Sequence, residues 1–143
     1  MTIWYSQELT GIDSLPVVKP AASQYGGGVY VYEASIILAS QQIADTIVVG
    51  QVPAGGQYIF SILNTDTSLG SATISIGTAA SPAKYRAAAT LTTTNTPVLQ
   101  QLVAPSINGQ SLTATERQII TIAAAALPAA GNLLYQSYWA AQG

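Results

Sequence analysis

The sequence predicts an all-β fold, a β-sandwich of the jelly-roll type with about eight strands. Three observations lead to this prediction. The chain has 143 residues, which suits one domain with one hydrophobic core. Beyond residue 28 the apolar residues recur with the two-residue period of a half-buried strand. The alternating runs are spaced about 8 to 14 residues apart and are broken by Gly, Pro and Asn, as strands are in a sandwich.

Residues 1–28 differ from the rest and are predicted to form an extended N-terminal arm that ends in a flexible joint. They contain Pro16 and Pro20, finish with three consecutive glycines, and show no sustained period. The segment is too apolar for a free, solvated tail, so we expect it to dock on its own domain or on a neighbour. Its apolar residues are Ile3, Trp4, Tyr5, Leu9, Leu15, Val17 and Val18. The sandwich domain is predicted to span residues 29–143.

Four strands are predicted in the first half of that domain, at residues 29–38, 47–49, 57–62 and 71–77. The first alternates between an even-numbered face of Tyr, Ala, Ile and Leu and an odd-numbered face that includes Val, Glu and Ser. The second is a short apolar run before a turn with Pro and two glycines. The fourth has the cleanest alternation, Ala and Ile against Ser and Thr. One face of the third strand is predicted to carry Tyr58, Phe60 and Ile62.

Three more strands are predicted at residues 85–92, 98–103 and 132–139, with a turn at Asn108-Gly109. Residues 113–127 allow two interpretations. A capping box at 113–116 and a run with four alanines are compatible with a helix over 117–127. The β-branched run at 119–122 favours a strand, which is the prediction made here.

Two similar corners, at residues 52–56 and 127–131, each combine Pro, Ala and Gly before a predicted strand. A pair of similar corners that lead into two long strands fits a jelly roll better than a simple meander.

The composition indicates a folded protein whose surface is partly covered. Charged residues make up 7% of the chain and hydrophobic residues 49%, whereas about a quarter of an ordinary soluble domain is charged. A surface so poor in charge is expected to be covered by partners or by copies of itself. The net charge of −2 argues against a nucleic-acid partner. No apolar run approaches the roughly 20 residues of a membrane span, and no signal peptide is recognisable, so we expect synthesis in a cytoplasm without a membrane partner.

The residue types exclude most catalytic chemistry. The chain has no His and no Cys, so Ser-His-Asp and Cys-His arrangements are impossible and the usual metal ligands are missing. Catalysis by two carboxylates would need two acids to converge in a cleft. We interpret the acids as solvated or capping groups and predict no catalytic residue, cofactor or metal site. The acids are Glu8, Asp13, Glu33, Asp45, Asp66 and Glu116.

Residues 64–68 place side-chain oxygens at alternate positions, as the first half of a calcium loop does. The EF-hand pattern then fails, because Leu69 stands at the glycine position and Ser75 at the position of the closing glutamate. An Asx-rich hairpin turn is the better interpretation of this segment.

Basic and aromatic residues are candidates for an interface. Lys84 and Arg86 flank Tyr85, so both should project from one sheet face, either to contact a partner or anion or simply to remain solvated. Aromatic pairs near both ends of the chain suit interface anchors, although aromatic residues could also line a sugar-binding face. The candidate interface residues are Trp4, Tyr5, Leu9, Tyr25, Lys84, Arg86, Tyr138 and Trp139.

Four segments carry a resemblance to a known class of protein: Ala-Asp-Thr-Ile-Val-Val-Gly at 44–50, Val-Pro-Ala-Gly at 52–55, Lys-Tyr-Arg-Ala-Ala-Ala-Thr at 84–90, and the alanine-rich run at 120–131. In residue composition and in the order of the segments, they resemble small tailed-bacteriophage proteins of the capsid decoration, or cement, class. The resemblance covers roughly residues 30 to 140. The resemblance implies a jelly-roll or related β fold on the outer surface of an icosahedral capsid. It also implies the major capsid protein as partner and reinforcement of the shell by bridging neighbouring subunits. Separately, we expect a homo-oligomer, dimer or trimer, since a surface so poor in charge suits contact between copies.

The sequence is also compatible with other functions. The chain could be another virion part, such as a head–tail adaptor, a tail protein or the base of a head fibre. A carbohydrate-binding jelly roll for host attachment would need aromatic and Asp or Asn residues gathered at one loop end. An enzyme is the least favoured of these hypotheses.

Overall fold

Eight strands and no helix make up the part of the computed structural model that is described, residues 28–100 and 110–140. The all-β prediction and the predicted number of strands are confirmed. The predicted arm lies outside these residues except for Gly28. The strands are β1 Val29–Ile37, β2 Thr46–Val52, β3 Gln57–Thr65, β4 Thr73–Gly77, β5 Arg86–Thr90, β6 Val98–Gln100, β7 Glu116–Ala123 and β8 Asn132–Ala140.

The strands form two four-stranded antiparallel sheets. Sheet A has the order β1-β8-β3-β6 and sheet B the order β2-β7-β4-β5. Most connections carry the chain from one sheet to the other, and only β4 and β5 are consecutive neighbours within a sheet. In this order the late strands β8 and β7 are inserted between early ones, and the two sheets face each other as a β-sandwich.

The ambiguous segment 113–127 contains strand β7, and no helix forms in it, so its helical interpretation is wrong. The Ile-Ile-Thr-Ile run lies in the middle of this strand, where β-branched side chains fit the pleated surface. The strand predicted at 98–103 is observed as β6, which is short within the described residues. The remainder of that prediction, and the turn at Asn108-Gly109, lie outside them.

The two similar corners of the sequence have equivalent places in the fold. Residues 52–56 lead from β2 to β3 and residues 127–131 lead from β7 to β8, so each carries the chain from sheet B to sheet A. Each also contains a glycine with positive φ, Gly55 at 93° and Gly131 at 122°. The repeated sequence therefore marks a repeated crossing between the sheets.

Side chains from both sheets meet in one hydrophobic core. On β4 and just before it, Ala72, Ile74 and Ile76 are 0% exposed, which confirms that the apolar set predicted for that segment faces the core, and Ser75 on the other face is also buried. On β8, Leu133 and Tyr135 are equally buried from the side of sheet A. The two-residue period thus identified the inward face of β4 in sheet B.

Three aromatic rings form the centre of this core. Trp139 lies edge-on to Tyr58 and to Tyr85, with ring centroids 5.3 and 5.9 Å apart. The two tyrosine rings are 4.6 Å from each other. Burial is the main reason that the pKa of each tyrosine is raised above its ordinary value. These edge and tilted contacts are the geometry that aromatic rings prefer, so the cluster holds the two sheets together.

Polar side chains also lie between the sheets. Gln118 of sheet B and Ser137 of sheet A are 0% exposed, and the Ser137 hydroxyl donates to Gln118 Oε1 at 3.1 Å. The same hydroxyl oxygen accepts from Trp139 Nε1 at 3.0 Å. Nearby, burial raises the pKa of Tyr135 to about 12. A buried hydrogen bond from one sheet to the other fixes their relative position more narrowly than apolar packing alone.

The segment 64–68 forms a corner between the sheets and not the predicted hairpin turn. It begins with the last two residues of β3 in sheet A and leads toward β4 in sheet B. Asp66 Oδ1 accepts from the Asn132 backbone N–H at 2.7 Å and from Thr67 Oγ1 at 2.9 Å, and Asp66 Oδ2 accepts from Asn132 Nδ2 at 2.7 Å. The hydrogen bonds of Asp66 therefore connect the end of β3 to the start of β8.

We expect Asp66→Asn to lower the thermal midpoint Tm at neutral pH and to matter less in acid. Hydrogen bonds from Asn132 and Thr67 lower the pKa of Asp66 in the folded protein. A carboxyl group with a lowered folded pKa stabilises the protein above its unfolded pKa of about 4 and loses this effect as pH falls through the folded value. Circular dichroism melts of both proteins from neutral pH to about pH 2 test this. A difference in Tm that does not shrink in acid would contradict the role assigned to Asp66.

Candidate interface on the outer face of sheet A

A β-bulge in β3 decides which side chains reach the outer face of sheet A. Tyr58 is opposite Trp139, and Phe60 is opposite Tyr138, the neighbour of Trp139 on β8. Two steps along β3 therefore match one step along β8, so Ile59 is an extra residue in β3. One extra residue exchanges the two faces of a strand from that point on. The prediction that Tyr58 and Phe60 share a face is therefore wrong.

The exchange sends polar atoms inward and apolar atoms outward. Ser61 is 0% exposed, and its hydroxyl forms a 2.8 Å hydrogen bond with the Tyr58 hydroxyl inside the core. Phe60 and Ile62 are half-buried on the opposite side of the strand. Leu63, the next inward residue, is 0% exposed. Without the bulge Phe60 and Ile62 would be core residues.

An aromatic stack lies at the centre of the outer face. The rings of Phe60 and Tyr138 are nearly parallel, with centroids 4.4 Å and planes 16° apart. Valines of β1 and a leucine of β6 extend the apolar surface on either side, and Val29, Val31 and Leu99 are 60%, 47% and 58% exposed. We call this surface the outer face of sheet A. Its apolar residues are Val29, Val31, Ile37, Phe60, Ile62, Leu99, Leu134 and Tyr138.

Charge is sparse on the outer face of sheet A. Glu33 is the one charged side chain that the described strands place there, and it accepts a 2.6 Å hydrogen bond from Gln136 Nε2 on the neighbouring strand. An apolar surface with a stacked aromatic pair and little charge is the composition of the central part of a protein–protein interface. It is not typical of a free monomer surface.

The aromatic pair predicted near the end of the chain is divided between two environments. Tyr138 lies half-buried on the outer face of sheet A, and its role as an interface residue stays a prediction. Trp139 is 0% exposed, so its interpretation as a surface anchor is corrected. Neighbouring residues of a strand point to opposite sides, and pairing with Tyr58 places Trp139 on the core side. Trp4, Tyr5, Leu9 and Tyr25 lie outside the described residues.

Arg86 does not project from a solvated strand face. It is 8% exposed, and its guanidinium donates to backbone carbonyls, from Nε to Ile74 at 3.3 Å and from Nη2 to Ala89 and Thr90 at 3.3 and 3.1 Å. Desolvation lowers its pKa. An extra residue in β5 between Arg86 and Ala89 interrupts the alternation on which the prediction depended. Arg86 therefore closes its own hairpin and offers no charge to a partner.

Lys84 precedes β5 and pairs with Glu116 of β7. Its ammonium nitrogen is 2.5 Å from Glu116 Oε2, and the Tyr85 hydroxyl donates to the other carboxylate oxygen. A cavity of about 170 Å³ beside Lys84 and Tyr85 is also lined by Tyr58 and Trp139. Pockets that enclose small-molecule ligands begin at about 300 Å³. The ion pair joins the segment before β5 to β7 within sheet B, near the aromatic cluster.

The described residues contain neither a cluster of metal ligands nor a membrane-spanning helix. No group of three or more potential metal ligands among Asp, Glu, His and Cys occurs in residues 28–100 and 110–140. In the same part of the chain, no helix is long and apolar enough to span a membrane.

Neither a protein-family model nor a curated protein matches this sequence. Solved structures match its fold. A chain in the capsid of Ralstonia phage GP4 is 20% identical with a TM-score of 0.61, and the match covers 96% of this chain and 96% of that one. A chain in the cyanophage Pam1 capsid asymmetric unit is also 20% identical, with a TM-score of 0.64 over 82% of this chain and 87% of the other.

A third similar structure is a chain in the acidic stable capsid of the Helicobacter pylori bacteriophage KHP30. It is 9% identical, with a TM-score of 0.53 over 78% of this chain and 86% of that one. At such identities these comparisons establish a shared fold.

Proposed function

We propose that this chain is a non-enzymatic structural protein of a tailed-phage virion, which binds the outside of the capsid and cements neighbouring major capsid subunits. The observation that carries the proposal is the near full-length match of its fold to a chain of a phage capsid. In this proposal the predicted arm, residues 1–28, contacts a neighbouring subunit or the shell. The sequence resemblance to capsid decoration proteins points in the same direction.

The physical character of the surface supports a role in assembly. A chain with 7% charged residues can be packed in many copies with little mutual repulsion. Contacts that are weak singly become strong when many copies bind around one closed shell. The exposed apolar surface around Phe60 and Tyr138 suits a protein that works by contact.

The described acids support the non-enzymatic part of the proposal, because several of them have structural partners. Glu33 bonds to Gln136, Asp66 to Asn132, and Glu116 to Lys84. These pairs lie in different parts of the fold, on the outer face of sheet A, at a corner between sheets, and next to the aromatic cluster. A pair of carboxylates for catalysis would have to share one cleft.

The aromatic residues give little support to a carbohydrate-binding function. Tyr58, Tyr85 and Trp139 form the core, where they cannot stack on a sugar. Asp66 and Asn132, which could bind sugar hydroxyls, bond to each other at the corner between β3 and β8. We therefore favour assembly over host attachment.

The test is the copy number of this chain in purified phage particles, measured by quantitative mass spectrometry against the major capsid protein. For a decoration protein spread over the shell we expect roughly one-third to one copy per capsid subunit, because cementing needs contacts repeated over the whole lattice. A ratio of a few hundredths, of order 0.01, would place the chain at the portal vertex or tail, since those parts occur in small rings. Absence from the particles would contradict the proposal.

A further inference from the structure

We propose that the outer face of sheet A packs against the same face of a second copy of this chain, so that the protein forms a weak two-fold dimer in solution. The proposed capsid function does not say which surface makes contact. The dimer assigns the outer face of sheet A to a second copy of the chain, and it concerns the isolated protein.

The first argument is the exchange of faces caused by the bulge at Ile59. Continuous alternation would have buried Phe60 and Ile62 and left Ser61 outside, which is the arrangement expected of a free sheet. The fold instead buries the serine and places an aromatic ring on the outside. Bulges often re-aim side chains at functional surfaces. A covered outer face explains why the aromatic residue is directed there.

The second argument is that the face suits a copy of itself. In an isologous interface the same patch serves both partners, so the patch must tolerate its own charges and shape. Among the described strand residues, Glu33 is the charged side chain on the outer face of sheet A, and it already accepts a hydrogen bond from Gln136. Two such faces bring together few like charges and much apolar surface. Two sheets packed face to face lie about 10 Å apart, as the two sheets of a sandwich do.

The third argument is area. Four strands about 4.8 Å apart, with nine residues in the longest at about 3.3 Å each, give a face of at most roughly 19 by 30 Å. Two such faces in contact would remove at most roughly 1,100 Å² from water, just above the minimum of about 1,000 Å² for a specific interface. This is enough for a weak dimer, with a Kd expected in the micromolar range, and too little for a permanent one.

The test compares two lysine substitutions at exposed valines. Val31→Lys places a charge on the outer face of sheet A, opposite Tyr138. Val48→Lys places the same charge on sheet B, where Val48 is 57% exposed against 47% for Val31. Sedimentation velocity of the full chain and both variants, over about 1 to 200 μM, measures self-association.

We expect wild type and Val48→Lys to shift from monomer to dimer with rising concentration, with Kd values within about twofold of each other. Val31→Lys should weaken the dimer at least about tenfold, since burying an unpaired charge is costly. Urea unfolding of all three proteins confirms that the variants are folded.

A wild-type chain that is monomeric throughout would overturn the dimer and leave the face to another occupant, such as residues 1–27 or a capsid surface. An equal effect of both lysines would overturn the assignment to sheet A. Neither result depends on phage particles. A monomeric chain that is abundant in virions would thus contradict this dimer and leave the capsid function standing.

Discussion

Replacing Trp139 by alanine is expected to lower the free energy of unfolding by about 3–5 kcal/mol, which is the usual cost of truncating a fully buried tryptophan. The side chain is 0% exposed and contacts Tyr58 and Tyr85 with its ring edges. It also donates a hydrogen bond to Ser137 Oγ, so alanine would leave both a cavity and an altered polar contact. Since small domains are stable by about 5–15 kcal/mol, much of the variant should be unfolded under mild denaturation.

Tyr138→Ala is the matched control for this substitution. It removes an aromatic side chain from the adjacent residue of the same strand, but from the outer face of sheet A, where the ring is only half-buried and stacks on Phe60. We expect a loss of about 1 kcal/mol in the monomer. Urea denaturation at low protein concentration, followed by circular dichroism, measures both values. Equal losses for the two variants would mean that Trp139 is not the central core residue described above.

The second large effect is expected for Gly131→Ala, which should cost about 3 kcal/mol or more. Gly131 has a φ of 122°, a conformation that residues with a side chain rarely adopt. A Cβ atom there would lie 2.3 Å from Thr67 Oγ1 and 2.7 Å from Thr67 Cβ, so the corner that holds Asp66 would have to move. Backbone strain and steric clash therefore add at a single position.

Gly55→Ala separates the two contributions. Gly55 stands in the equivalent corner with a φ of 93°, but a Cβ atom there would meet nothing within 4 Å. Its loss should be about 1 kcal/mol, the cost of the backbone conformation without a clash. Chemical denaturation of the two variants in parallel tests this. If Gly55→Ala were as damaging as Gly131→Ala, contact with Thr67 would not be what makes Gly131 necessary.

The strands could be predicted because their signal is local. Alternation in residues 71–77 and the Ile-rich run at 119–122 depend on which residues follow one another, and the pleat converts that order directly into faces. The two similar corners at 52–56 and 127–131 were also visible in the order of residues, and each carries the chain from sheet B to sheet A. These features need no knowledge of which strands become neighbours.

The candidate interface could not be predicted in the same way, because its composition depends on a bulge. Whether Ile59 is an extra residue is decided by the partner strand, through the pairing of Tyr58 with Trp139 and of Phe60 with Tyr138. The sequence does contain a hint, since the odd-numbered Leu63 follows a run of even-numbered apolar residues and so marks a change of phase. The same dependence on a partner strand explains the error for Arg86, which lies beside the bulge in β5.

The places of β7 and β8 in the two sheets have a consequence for how the protein is made. Each is an inner strand, with β8 between β1 and β3 and β7 between β2 and β4. Among the described strands, β1 pairs only with β8 and β2 only with β7. Ribosomes deliver the N-terminal part first, at about 5–20 residues per second, so the first two strands emerge seconds before their partners exist. Folding should therefore begin only when synthesis of the sandwich is nearly complete, and a chain interrupted before β7 would lack the middle of both sheets.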